Sequence, residues 1–219
     1  MYEFNEIDLP EITTILTEEP LSLMDYPKRE FMVDYINKCN VNNMLEIGTF
    51  AAGTTYVLAK AFPNKSITTV DINNFEHYFT IGDHSQHLKS IQSNYPKINI
   101  QPDSITKIQQ IYKNECPNIT LVEGDWRSLD VSSFDFIIVD GDHNTDAVIS
   151  DLKYAYDNIK LPGIIMVDDC VFEYIKDIVV KFCKEHNLEV TFECEDSKYN
   201  HEGETITGLD LGIIHVTKR

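Results

Sequence analysis

Apolar positions change their spacing near residue 40. Before it, Ile12, Ile15 and Leu16, and then Phe31, Met32, Tyr35 and Ile36, recur at helical intervals. Pro20 and Pro27 interrupt these two pieces, with Leu21, Leu23 and Met24 between them. Beyond it, short apolar runs alternate with helical segments. Strands are expected at 44–47, 66–72, 119–122, 134–139 and 164–167. The run 134–139 is largely apolar, as befits a strand buried on both faces of a parallel sheet. Helices are expected at 54–61, 146–158 and 174–186, with Pro162 and Gly163 separating the second from its strand. The segments 189–194 and 211–217 read as two strands joined by a polar loop.

Strands alternating with helices predict an α/β fold: a Rossmann-like, doubly wound, mostly parallel sheet of seven strands. The closing strand–loop–strand pattern makes the last strand antiparallel. Residues 1–219 are expected to form a single domain, with 1–40 as a helical N-terminal extension. The stretch 73–118 is long for one connection and contains helix-like pieces at 87–92 and 105–112. It is read as an insertion near the active site.

Composition narrows the partners. Of 219 residues, 42% are hydrophobic, enough for a sizeable core. Acidic residues number 36 against 18 basic, a net charge of −18. Such a surface repels phosphate backbones and anionic bilayers, so neither nucleic acid nor membrane is an expected partner. Homodimer formation stays open. The cysteines Cys39, Cys116, Cys170, Cys183 and Cys194 are odd in number and form no C-x-x-C, which fits free thiols in a reducing compartment. The first residues lack an apolar leader, and no apolar run approaches the roughly 18 residues of a membrane span. A cytoplasmic protein is expected.

Candidate chemistry begins at the end of the first strand. Glu46-Ile47-Gly48-Thr49-Phe50-Ala51-Ala52-Gly53-Thr54-Thr55 leads from strand to helix. In open α/β sheets the carboxyl ends of the strands form the ligand crevice, where glycine lets the backbone approach a ligand. A phosphate-binding loop would need lysine where Thr54 stands, and the dinucleotide fingerprint G-x-G-x-x-G is not matched. Asp71, ending the second strand, stands where a carboxylate can accept hydrogen bonds from ribose hydroxyls. Turn and acid together suit an adenosine ligand with no phosphate and a carboxylate at its other end. S-adenosyl-L-methionine has that description.

On these residues the chain resembles the class I S-adenosylmethionine-dependent methyltransferases. More narrowly, it is similar to the metal-dependent small-molecule O-methyltransferases of the catechol, caffeoyl-coenzyme A and macrocin type. The likeness runs from about residue 44 to 216. The turn is similar to that family's E-I-G-T-F-x-G-G-S-T, with Ala52 replacing a glycine and Thr54 a serine. The resemblance implies that Glu46, Gly48, Thr49, Phe50, Gly53, Thr54, Thr55, Asp71, Ile72 and Asp140 bind the cofactor. It also implies that Gly124-Asp125-Trp126 borders the adenine, with Asp125 or its neighbour at the base edge and Trp126 on the ring.

A second constellation follows. The run 134–139 ends in Asp140-Gly141-Asp142-His143, and 164–167 ends in Asp168-Asp169. Adjacent parallel strands would bring Asp140, Asp168 and Asp169 together. Three converging carboxylates raise one another's pKa unless a cation lies among them, and Mg2+ or another hard divalent ion fits such oxygens. In the resembling family the matching acids bind such a metal. His143 falls where catechol-type relatives carry a catalytic lysine; an imidazole titrating near neutrality can take a hydroxyl proton. His143 and Asp140 are the expected catalytic residues, and His77, His84 and His87 are weaker candidates, either substrate-facing or merely solvated. The function expected is Mg2+-assisted O-methylation of a small hydroxylated molecule. Metal-independent N- or C-methylation and a non-catalytic S-adenosylmethionine-binding module are the alternatives. An NAD-dependent oxidoreductase is disfavoured by the missing fingerprint.

Overall fold

The computed structural model of the protein describes residues 1–22, 24, 26–72, 92–194, 197–201 and 204–218. Two helices, α1 (Leu9–Glu18) and α2 (Tyr26–Lys38), precede the first strand. The chain then alternates β1 (Asn43–Ile47), α3 (Gly53–Ala61), β2 (Ser66–Asp71), α4 (Pro102–Glu115) and β3 (Ile119–Glu123). It continues through β4 (Phe136–Val139), α5 (Thr145–Asn158), β5 (Gly163–Val167), α6 (Glu173–Glu185) and β6 (Val190–Glu193). A hairpin, β7 (Ser197–His201) and β8 (Glu204–Gly208), precedes β9 (Leu211–Val216). No helix among the described residues is long and apolar enough to cross a membrane.

Seven strands form one sheet in the order β3-β2-β1-β4-β5-β9-β6. The contacts from β3 to β5 are parallel, and β9 runs antiparallel to both its neighbours. The expected sheet and its reversed last strand are therefore present. The expected polar loop before β9 differs: it contains β7 and β8, which among the described residues pair with each other. Their sequences, Ser-Lys-Tyr-Asn-His and Glu-Thr-Ile-Thr-Gly, hold too few apolar residues to show a strand period. Within 73–118, α4 is the crossover helix between β2 and β3. It starts at Pro102 behind a reciprocal cap in which Gln101 and Ser104 each bond the other's backbone N–H. His77, His84 and His87, and nearly all of the expected helix 87–92, lie outside the described residues.

Strand parity divides the core. Met44, Phe136, Ile138, Ile164 and Met166 face one side, against α1 to α4; Leu45, Ile47, Ile137, Val139 and Ile165 face the other, against α5 and α6. The N-terminal helices are integral to the first side. Ile12, Leu16, Leu21, Met32 and Ile36 are buried with Tyr56, Leu58, Ile105 and Tyr112. The Leu21 N–H donates to the Tyr112 hydroxyl at 2.7 Å, and the Tyr112 ring stacks on Tyr56 at 4.5 Å. A strap at residues 20–22 thereby crosses the start of α3.

Candidate active site

Register places the expected ligand residues on one edge. Ile47 pairs with Val70 and Val139, and Val139 with Val167, so four strands end in one row. Gly48, Asp71, Asp140 and Asp168 are the next residues along. The row is fastened one step further by backbone bonds: Gly48 N–H to the Val70 carbonyl, Asp140 N–H to that of Ile47, and Asp168 N–H to that of Val139, each 3.0 Å.

The turn after β1 depends on backbone conformation. Gly48 has φ +95°, and a Cβ there would lie 1.8 Å from the Asp140 carbonyl oxygen. Glycine is needed because the end of β4 passes directly beside it. Phe50 and Ala52 also have positive φ, 43° and 62°. Ala52, where the resembling turn has glycine, takes a left-handed conformation that costs a residue with a Cβ about 1–2 kcal/mol. The Phe50 N–H donates to Asp71 Oδ2 at 2.9 Å, tying the turn to the end of β2. Gly53 answers to a different constraint: a Cβ there would meet the Leu21 carbonyl oxygen at 2.1 Å, so its glycine admits the strap. Thr54, expected on the cofactor, shares a 2.8 Å hydrogen bond with Ser22 of that strap.

Glu46, Thr49 and Thr55 form an internal network beneath this turn. The Thr55 and Thr69 hydroxyls both donate to Glu46 Oε2, the latter at 2.7 Å, and Thr49 bonds Thr69 at 2.7 Å. Glu46 is 2% exposed on the face covered by α3. Burial pushes its carboxyl up to about 8, against the pull of the two hydroxyls, so it carries a proton at neutral pH. These side chains brace the turn from inside.

Across the edge, Ile72 follows Asp71 with 67% exposure, a large apolar surface beside the carboxylate. Gly124 N–H donates to the Asp71 carbonyl at 2.9 Å, and a Cβ at Gly124 would meet nothing within 4 Å. Asp125 is exposed and bonded by Arg127 through its backbone N–H and Nε, which hold its carboxyl below the usual range. Trp126 departs from the expectation that it lies on the adenine. Its indole is buried edge-on against Tyr154, centroids 4.7 Å apart, and its Nε1–H donates to Asp151 at 2.9 Å. A buried indole needs an acceptor for its N–H, and α5 supplies one.

The acids after β4 and β5 are split into two groups. His143 Nε2 lies 2.9 Å from Asp169 Oδ2 and 3.8 Å from Asp140 Oδ1, on the solvent side. Partial burial pulls the imidazole pKa down, but hydrogen bonds and charge from Asp140 and Asp169 outweigh it and push it up to about 11. Asp168 turns the other way. Its Oδ1 accepts from Lys28 Nζ at 2.8 Å and from the Asp169 N–H at 2.8 Å. Lys28 also lies 2.9 Å from Asp210 Oδ2 and 3.9 Å from Asp169. The lysine is 0% exposed, and so is Asp210. Burial raises Asp140 and Asp168, with Lys28 opposing it most strongly at Asp168. Cys170 is buried, and burial raises its thiol pKa, which suits packing rather than nucleophilic attack.

Sequence reasoning missed Lys28 and Asp210. The signal for Lys28 was present: positions 28, 32 and 36 form one buried stripe of α2, so a lysine stands in line with Met32 and Ile36. Asp210 stands between Leu209 and Leu211 at the entry to β9. Among the described residues, two sets of donor atoms converge within 4.8 Å: Asp140, His143 and Asp169, and Asp168, Asp169 and Asp210. Lys28 already places an ammonium in the second. The first offers two carboxylate oxygens and an imidazole nitrogen at a partly exposed place, a set whose chemistry fits a divalent cation.

The comparisons agree with this edge. A family model described as a methyltransferase domain matches residues 45–170, more than half of the chain. The structure is similar to that of the O-methyltransferase TomG of Streptomyces achromogenes, involved in tomaymycin synthesis and solved with S-adenosylmethionine. That match has 12% identity and TM-score 0.55, covering 98% of this chain and 91% of that one. It is similar to a Bacillus cereus O-methyltransferase solved with S-adenosylhomocysteine, at 13% identity and TM-score 0.54, covering 97% and 92%. It is equally similar to a precorrin-6y C5,15-methyltransferase of Geobacter metallireducens, at 16% identity and TM-score 0.56, covering 91% and 92%. At such identities the likeness is one of fold. No curated protein matches the sequence. The matched segment spans the glycine turn, Asp71 and the acids after β4 and β5: the chain belongs to the methyltransferase-domain family and is a class I S-adenosylmethionine-dependent methyltransferase.

Proposed function

We propose that the enzyme transfers the methyl group of S-adenosylmethionine to a hydroxyl oxygen of a small molecule in the cytoplasm, aided by a divalent cation. The observation that carries this reading is the convergence of Asp140, His143 and Asp169 at the same sheet edge as the glycine turn and Asp71. Methyl transfer is an in-line displacement at carbon, so aligning acceptor oxygen, methyl and sulfur contributes much of the rate. Asp71 would accept the ribose hydroxyls while its Oδ2 holds the Phe50 N–H, and Ile72 would offer apolar surface to the adenine. Asp140 and Asp169 would hold the cation, with Asp168 behind them on Lys28. A divalent cation there would lower the pKa of the acceptor hydroxyl. In its role as base, His143 would take the hydroxyl proton at Nε2, which requires the imidazole to be uncharged; the two carboxylates alone keep it charged.

Metal-independent transfer to nitrogen or carbon is the second reading. It is favoured by Lys28 and His143, which set cationic side chains against these carboxylates without any metal. A screen of hydroxylated acceptors for released S-adenosylhomocysteine, with and without EDTA, separates the two. Turnover that stops on chelation and returns with Mg2+ is expected, and His143→Gln should lower it by roughly 100-fold with cofactor affinity retained. Full turnover in metal-free protein supports the second reading.

A further inference from the structure

We infer that Lys28, on the N-terminal helix α2, is a positioning residue for the acceptor half of the site. It acts through Asp168 and Asp210 to hold the turn 168–171 in the one conformation that presents Asp169 to His143 and Asp140. The inference takes the proposed acceptor site at these three residues as its premise.

The turn has an unusual backbone. Asp169 has φ +60°, a left-handed conformation uncommon for residues with a side chain and adopted by Asp more readily than by most. The N–H groups of 169–171 are held by two carboxylates and one backbone carbonyl. Asp168 Oδ1 accepts the Asp169 N–H at 2.8 Å. Asp210 accepts the Cys170 N–H on its carbonyl at 2.7 Å and the Val171 N–H on Oδ1 at 3.3 Å. Three successive N–H groups therefore end on Asp168 and Asp210. Both acids are buried with an oxygen of each within 4.8 Å of the other, an arrangement that calls for a partner of opposite charge. Lys28 supplies it, with Nζ at 2.8 Å from Asp168 and 2.9 Å from Asp210. Its 3.9 Å separation from Asp169 leaves that carboxylate to lean on His143 at 2.9 Å. A lysine is suited to this place as a compact point charge with three donors on a flexible stem, long enough to reach two carboxylates from a helix packed outside the sheet.

The ion pairs of Lys28 with Asp168, Asp210 and Asp169 all lie in the proposed acceptor half, so its removal should disturb that half more than the other. The test uses the full chain carrying Lys28→Met, and a second variant that combines Lys28→Met with Asp210→Asn to leave one buried charge fewer. Folding is followed by thermal melting and S-adenosylhomocysteine affinity by calorimetry. The amide NMR signals of Asp169, Cys170 and Val171 are compared with those of Gly48 and Thr49. The expected result is a folded protein with unchanged S-adenosylhomocysteine affinity, in which the three turn signals move and those of the glycine turn do not. Methyl transfer should fall by about 100-fold, the scale on which a displaced positioning group acts. Lys28→Arg, which keeps the charge, should restore the turn signals and part of the rate. Unmoved turn signals overturn the inference, as does an unchanged rate. Unfolding of both neutral variants also overturns it, because the lysine then holds the domain together rather than the turn. If the native chain methylates no hydroxylated acceptor, the proposed function fails, and the turn signals still decide the role of Lys28.

Discussion

The two halves of the proposed ligand edge, one for the cofactor and one for the acceptor, are held by different forces. The cofactor half is a matter of backbone: positive φ at Gly48, Phe50 and Ala52, one N–H on Asp71, and a neutral network of Glu46, Thr55 and Thr69 beneath. The acceptor half is a matter of charge: Asp140, Asp168, Asp169 and Asp210 with the cations Lys28 and His143. The first half is written within one strand–turn–helix–strand stretch. The second is gathered from α2, two strand ends and the entry to β9. Backbone-held geometry tolerates changes of side chain provided the conformation survives, as Ala52 demonstrates by taking a left-handed φ where the resembling turn has glycine. A charge-held arrangement tolerates none that changes the count of charges, since an unpaired buried ion is costly.

The largest effect should come where the halves touch. Gly48→Ala presses a methyl group against the Asp140 carbonyl and imposes a side chain at φ +95°. A loss of about 3 kcal/mol in urea unfolding is expected, the upper range for overpacking. Unchanged stability would mean that the end of β4 is not seated against the turn. Next, Asp71→Ala should separate the halves. It removes the acceptor for the Phe50 N–H and the proposed acceptor for the ribose, and S-adenosylmethionine should bind about 1.5–3 kcal/mol more weakly in calorimetry. The turn after β5 should be undisturbed. Equal affinity in a folded variant removes Asp71 from the site.

The smallest effect tests the neutrality of the first half. Because burial raises Glu46 to about 8, the folded chain keeps a proton that the unfolded chain releases near the ordinary glutamate value of about 4.3. This group's contribution to stability is therefore complete at acid pH and lost as pH rises toward 8, where it levels off. Glu46→Gln should flatten that slope, which a single group can set to at most about 1.4 kcal/mol per pH unit. An identical slope in the variant, by urea unfolding at both values, would show that Glu46 is ionised in the fold.

The same contrast explains what was legible in the sequence. The strand and helix periods, the reversed last strand, the glycine turn and Asp71 are all local patterns. The structure keeps Gly48, Phe50 and Asp71 together as the motif suggests. Gly53 and Thr54 look like part of the same motif, yet they face Leu21 and Ser22, because the strap belongs to a part of the chain that local reading treats separately. The acids after β4 and β5 were legible as a group. Their division was not, since it depends on Lys28, whose place on an apolar stripe is visible only once the helix is registered against Met32 and Ile36. Nor could parity alone reveal that Trp126 would find Asp151.

The pairing of Lys28 with Asp168 spans 140 positions of chain, and this separation bears on the order of folding. Closing a loop of that length costs more chain entropy than a local contact does, which favours its forming after nearer ones. Until α2 docks, the carboxylates of Asp168 and Asp210 can remain hydrated at the rim of the assembled strands. The docking of α2 is then the event that strips this water away, and it is favourable only if the ammonium arrives with the helix. Loosening α2 from the sheet should therefore open hydrogen exchange at the amides of 169–171, whose acceptors are Asp168 and Asp210.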